Sequence, residues 1–167
     1  MALSISHFKK KGFTIVELSL YMGLMSIFIF TLTEIFLSVL ELQTESQQTT
    51  SVESDGRFIL NRLNYDISRA SNITTPGSLG EATSSAVLVV SGVNYTYDGT
   101  ENDFILINDF GNDQLNSNGT QISNVSFTRL GNLGGKNNLQ IKFRLTSTAK
   151  RPSGAEIKDF QTTMGLR

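Results

Sequence analysis

Glu17 lies near the start of a run, Phe13 to Leu40, in which the only charged residues are Glu17 and Glu34 and there is no Pro. An ionisable group in such a run is costly in lipid, so it pairs, caps or functions. Its chemistry has two forms. Thr14-Ile15-Val16-Glu17 fits the Thr-x-x-Glu capping box, and a carboxylate in a first helical turn suits the helix dipole. Alternatively, a carboxylate in low-dielectric surroundings can hold a cation. A second set of oxygens stands in Asp98-Gly99-Thr100-Glu101-Asn102-Asp103 and Asn108-Asp109-Phe110-Gly111-Asn112-Asp113. Oxygen donors in loops suit calcium, although neither stretch has EF-hand spacing and such loops are ordinarily turns. The chain has no Cys and a single His, His7. Thiolate nucleophiles and zinc–thiolate sites are therefore excluded.

The elements around Glu17 follow from composition. Twenty-eight residues of helix from Phe13 span about 42 Å, enough for a hydrocarbon core of about 30 Å. Lys9, Lys10 and Lys11 precede the span and no basic cluster follows it, which places the N-terminus in the cytoplasm and the C-terminal part outside. After Leu42 polarity rises, yet Val52, Gly56, Ile59, Leu63, Ile67 and Ala70 recur at helical spacing. The pattern predicts one helix from about Phe13 to about Ala70, with Asp55-Gly56 as its weak point, a bend or a place of close approach. Arg62 and Asp66 form an i, i+4 pair on it. Asn72 to Gly77 carries turn chemistry that ends the helix.

Beyond it the period is that of strands. Residues 86–90 and 93–97 read as a hairpin, followed by apolar or alternating runs at 104–107, 125–130, 139–145 and 157–164. The register of 125–130 is ambiguous by one residue. The fold class is α+β, a long N-terminal helix whose outer half packs on a C-terminal antiparallel β-sheet. The domains expected are a basic segment at 1–12, a membrane helix at 13–40, its amphipathic continuation at 41–71 and a β-rich head at 72–167.

The order basic, glycine, phenylalanine, glutamate in Lys9-Lys10-Lys11-Gly12-Phe13-Thr14-Ile15-Val16-Glu17-Leu18 resembles the leader of type IV pilins and type II secretion pseudopilins. The resemblance implies a pilin-like fold. It also implies cleavage between Gly12 and Phe13 by a prepilin peptidase and methylation of the new Phe13 amine. Glu17 would pair with the amine of a neighbouring subunit. Other pilin subunits, the peptidase/methylase and, indirectly, an assembly ATPase and platform are the implied partners. The precursor would be a single-pass protein of the inner membrane, and the product a filament subunit at the cell surface or in the periplasm, not an enzyme. A mature chain starting at Phe13 has 11 basic and 15 acidic side chains, which gives no electrostatic reason to expect nucleic-acid binding. It also lacks His, and so any histidine-based triad.

Arg62-Leu63-Asn64-Tyr65-Asp66-Ile67-Ser68-Arg69-Ala70 resembles the helix end of J-type and W-type minor pilins, and Phe160 to Arg167 resembles their final strand. Major pilins often carry a Pro near the position of Glu34 and a Cys-closed terminal loop. This chain has neither feature. The expected function is a minor pilin or pseudopilin of a secretion, pilus or DNA-uptake machine. The alternatives are a major pilin and a signal-anchored extracytoplasmic binding module. A plain signal anchor predicts the same topology.

Overall fold

The structure is a computed structural model and describes residues 12–100, 102–132, 135–149 and 154–166. It is α+β, one long helix followed by antiparallel strands, as the sequence pattern predicts for a pilin-like fold. Helix α1 runs Ile15–Arg69. The chain divides into two compact units, one ending at Leu42 and the other beginning at Gln43.

In the first unit the apolar side chains point outward on all sides. Ile15, Leu24, Phe30, Phe36 and Leu42 are each more than half exposed. A helix apolar all round needs lipid or other helices to cover it. Among the described residues this is the one helix long and apolar enough to cross a membrane, so it can serve as a single-pass anchor for a C-terminal domain.

In the second unit α1 buries Val52, Gly56, Ile59, Leu63 and Ile67, the seam read from the spacing, together with Gln48 and Asp66. The β structure is divided between two sheets. The first has the order β1 (Ala70–Thr75), β3 (Ser85–Val90), β4 (Val93–Thr100), β5 (Asp103–Asn108), β6 (Gly111–Gln114). The second has the order β2 (Ala82–Thr83), β7 (Thr120–Leu130), β8 (Asn138–Ser147), β9 (Ile157–Gly165). Strands β3 and β8 alternate closely between buried and less buried residues, the period of a sheet with one face in the core. The expected hairpin is β3–β4, turned by Ser91 and Gly92 at φ 53° and 85°. Positive φ at both central residues matches the strand twist.

Three local readings change. Residues 72–75, read as a turn, and Ala70, read as the helix end, form strand β1, which pairs with β3 and buries Ala70 and Ile73. Turn chemistry at Pro76-Gly77 acts after the strand rather than after the helix. Within 108–113 the chain forms the tip of the β5–β6 hairpin and then enters β6. The ambiguity in β7 is a bulge. Pairing with β8 shifts between Ser123 and Ser126, Asn124 takes φ 54°, and Phe127 becomes the buried residue. One extra residue there switches the face that the apolar side chains present.

Aromatic rings connect the sheets to each other and to α1. Tyr97 packs on Phe104 at 5.9 Å between centroids, Phe104 on Phe143 at 6.4 Å, and Phe143 on Phe160 at 5.2 Å. The Phe160 end of this series lies over Gly56, where an added Cβ would clash with the ring. The residue that looked like a weak point is a seat for an aromatic side chain. Alanine would gain about 1 kcal/mol of helix propensity, but overpacking costs about 1–3 kcal/mol. Gly56→Ala is therefore expected to lower stability by up to about 2 kcal/mol in thermal unfolding. Phe160→Leu in the same chain should recover most of it. A Gly56→Ala variant more stable than wild type would show that the ring swings aside freely.

Candidate functional site

The site suggested by the sequence is linear and lies at the start of α1. Gly12 and Phe13 are exposed and precede the first helical turn. Helix α1 opens with Thr14 as its cap. The Glu17 N–H donates to Thr14 Oγ1 at 3.2 Å, and the Leu18 N–H donates to the Thr14 carbonyl at 3.0 Å. The Thr14 half of the capping box is thus formed. This bond uses the Glu17 backbone and not its carboxylate, so capping and pairing are compatible roles for one residue. Among the described residues no basic side chain pairs with Glu17. Phe13 meets Tyr21 edge to face, 6.1 Å between centroids and 72° between planes. Lys9, Lys10 and Lys11 lie outside the described residues.

The segment that follows satisfies several of its own polar groups. Hydroxyls of Ser19, Ser26, Thr31 and Thr33 donate to carbonyls four residues earlier at 2.8–3.0 Å. These four hydroxyls need no water, which suits a helix that exchanges lipid for protein. Glu17 and Glu34 are the carboxylates left within Phe13 to Leu40, and both are exposed.

Elsewhere the carboxylates fasten the head to its helix. Asp66, 1% exposed, accepts from Arg62 Nε at 2.8 Å and from the Tyr97 hydroxyl. The i, i+4 pair expected on a helix surface is thus half of a buried connection between α1 and β4. Asp55 Oδ2 accepts from the Ser117 N–H at 3.0 Å, Ser117 Oγ at 2.7 Å and Thr120 Oγ1 at 2.5 Å, which fixes the turn before β7. Arg129 Nη1 donates to the carbonyls of Ile73, Pro76 and Gly77 at 3.0–3.3 Å, joining the end of β1 to β7. At the edge strand β9, Lys158 pairs with Glu53 at 2.5 Å and Arg144 with Asp159 at 2.7 Å. The hydrogen bond and charge of Lys158 hold the Glu53 carboxyl below its usual range, and Arg144 does the same for Asp159. Sequence reading missed the roles of Asp55, Arg129 and Tyr97, whose partners are distant along the chain.

Tyr97 is fully buried. Burial first, then the Asp66 carboxylate, push its phenol well above the usual value of 10.0, with Arg62 opposing. A raised folded value means that the stabilisation is whole below pH 10 and is lost as pH rises beyond it. Phenolate absorbance from Tyr97 is therefore expected only with unfolding. A step coinciding with loss of near-ultraviolet dichroism, absent in Tyr97→Phe, would establish this. Ionisation of Tyr97 in a folded head would refute it.

Among the described residues no group of three or more His, Cys, Asp or Glu is placed to hold a metal, and Glu101 lies outside them. Asp103 Oδ1 accepts from Gln114 Nε2 at 2.9 Å. No family model, curated protein or solved structure matches this chain. The functional reading rests on its own residues.

Proposed function

We propose that this chain is a structural subunit of a type IV pilus-like filament. It is made as a single-pass inner-membrane precursor, cut between Gly12 and Phe13 by a prepilin peptidase, and methylated on the Phe13 amine. It is then drawn into a filament through its N-terminal helix by an assembly ATPase and platform. The observation that carries the reading is the word Lys-Lys-Lys-Gly-Phe-Thr-Ile-Val-Glu set against the start of a helix that exposes apolar residues on every side. A filament supplies what such a helix needs, other helices to cover it and a cation for Glu17. The chain performs no catalysis in this role. The subunit is a minor pilin or pseudopilin of a secretion, pilus or DNA-uptake machine. Support for that rank comes from Arg62-Leu63-x-x-Asp66-Ile67-x-x-Ala70 and from the absence of Cys.

Intact mass and N-terminal analysis of the protein from its native envelope, with and without the prepilin peptidase, test the reading. A mature chain starting at Phe13 and heavier by one methyl group is expected only with the peptidase. A chain starting at Met1 in both strains would overturn it in favour of an anchored binding module.

A further inference from the structure

The charges of the head are segregated. From Ala70 to Thr128 the sequence contains six acids and no Lys or Arg. Every strand of the first sheet lies in that stretch. Its far edge is the β5–β6 hairpin, where Asp109 and all four residues of β6, including Asp113, are exposed. Phe110 stands at the tip, 85% exposed, with the partly exposed Ile107 nearby. Phe110 and Ile107 make a small apolar patch set in an acidic edge, a combination that a complementary partner surface can bury.

Helix α1 carries a complementary surface. Phe58, Arg62, Tyr65 and Arg69 recur at spacings of 4, 3 and 4, off the seam that faces the core. Phe58 and Tyr65 are 53% and 54% exposed. The Arg69 guanidinium lies 4.9 Å from the Tyr65 ring centroid, and its Nη1 donates to the Tyr65 hydroxyl at 2.6 Å. Arg57 is held by Glu53 and Arg62 by Asp66, whereas Arg69 has no carboxylate partner among the described residues. The outer face of the second sheet carries Lys142 and the Arg144–Asp159 pair among Ser126, Thr128 and Gln140, with Ile157 as its exposed apolar side chain, and offers no aromatic pair like Phe58 and Tyr65. Phe, Tyr and Arg are the residue types that anchor protein interfaces.

We infer that the acidic β5–β6 hairpin of one copy docks on the Phe58–Tyr65–Arg69 face of the next copy. Phe110 seats against the two aromatic side chains, and Asp109 and Asp113 face Arg69. The two surfaces differ, so the contact is heterologous. A heterologous contact repeats in one direction and generates open assemblies rather than closed dimers. The inference deepens the filament reading and rests on it for neighbouring copies, which the repeating-subunit alternative supplies and a minor subunit present singly does not. The contact itself stands on the head's own charge and exposure.

The absence of Cys makes disulfide mapping clean. Full-length chains bearing Tyr65→Cys and Phe110→Cys, with different tags, are co-expressed in the native host and oxidised mildly in the envelope. A mixed dimer is expected, with no self-linked product from either variant alone. Arg69→Glu on the Tyr65→Cys chain should reduce the mixed product about tenfold, and Asp109→Lys on the Phe110→Cys chain should restore it. Absence of the mixed dimer while the chains still start at Phe13 would overturn the contact and leave the filament reading intact. Chains starting at Met1 would instead mark failure of that reading. Self-linking by single variants would mean a symmetric contact, and links only to another protein would mean a different occupant. Either outcome overturns the inference.

Discussion

Asp66→Ala is expected to destabilise the head by about 3 kcal/mol, roughly 10 °C in the midpoint of thermal unfolding. Arg62 keeps about a third of its side chain in solvent and can rehydrate when its carboxylate is lost. Tyr97 cannot, because its ring is sealed between α1 and the first sheet and its hydroxyl would stay buried without an acceptor. An orphaned buried donor costs about 1–3 kcal/mol, and loss of a buried charged acceptor adds to it. Double substitution separates these contributions. Tyr97→Phe removes the stranded donor, so Asp66→Ala with Tyr97→Phe should be no worse than Asp66→Ala alone and should recover part of its loss. Strict additivity of the two single effects would show that Asp66 and Tyr97 act independently. The chain has no Trp, so near-ultraviolet dichroism of the full-length protein in detergent is the suitable readout.

The same cluster shows where sequence reading stops. Arg62 and Asp66 stand four apart on a helix, and on paper such a pair belongs on the surface. Its burial is decided by Tyr97, 31 residues away. Gly56 is similar, read as a weak point because its partner, Phe160, comes from the last strand. By contrast, the length of α1 was legible, since an unbroken apolar run and a regular seam are properties of neighbouring residues. Strands β3, β4, β5, β7, β8 and β9 were legible by alternation or apolar runs, whereas β6 read as a loop. Strand β1 was not, because Asn72-Ile73-Thr74-Thr75 runs into Pro76-Gly77 and resembles the turn that follows it. Division into two sheets was also out of reach, since alternation states which face is buried and not which strand lies alongside. The proposed Gly12–Phe13–Glu17 site could be read from sequence because its residues lie within one short stretch. Its proposed partner lies on another molecule.

Glu17→Gln is expected to leave membrane insertion and cleavage at Gly12 unchanged while reducing the subunit's entry into filaments about tenfold or more. Glutamine keeps the size of the side chain and Thr14 still caps the helix, because the cap bond comes from the residue-17 backbone N–H. What changes is the charge. A carboxylate within a lipid-facing helix costs up to about 2.5–3.5 kcal/mol, less where it lies near the interface, so its removal makes the membrane state more comfortable. The same removal takes from the filament a charge-assisted contact with the Phe13 amine of a neighbour, where low dielectric strengthens it. Both effects oppose extraction, and about 1.4 kcal/mol between them already gives a factor of ten. The comparison strain is one without the prepilin peptidase. There the chain has no free amine at Phe13, and Glu17→Gln should change nothing further. Protein recovered from sheared or purified filaments, measured against the membrane pool, provides the number. Equal incorporation of Glu17→Gln and wild type would end the pairing role, and would leave Glu17 as a first-turn acid serving the helix dipole alone.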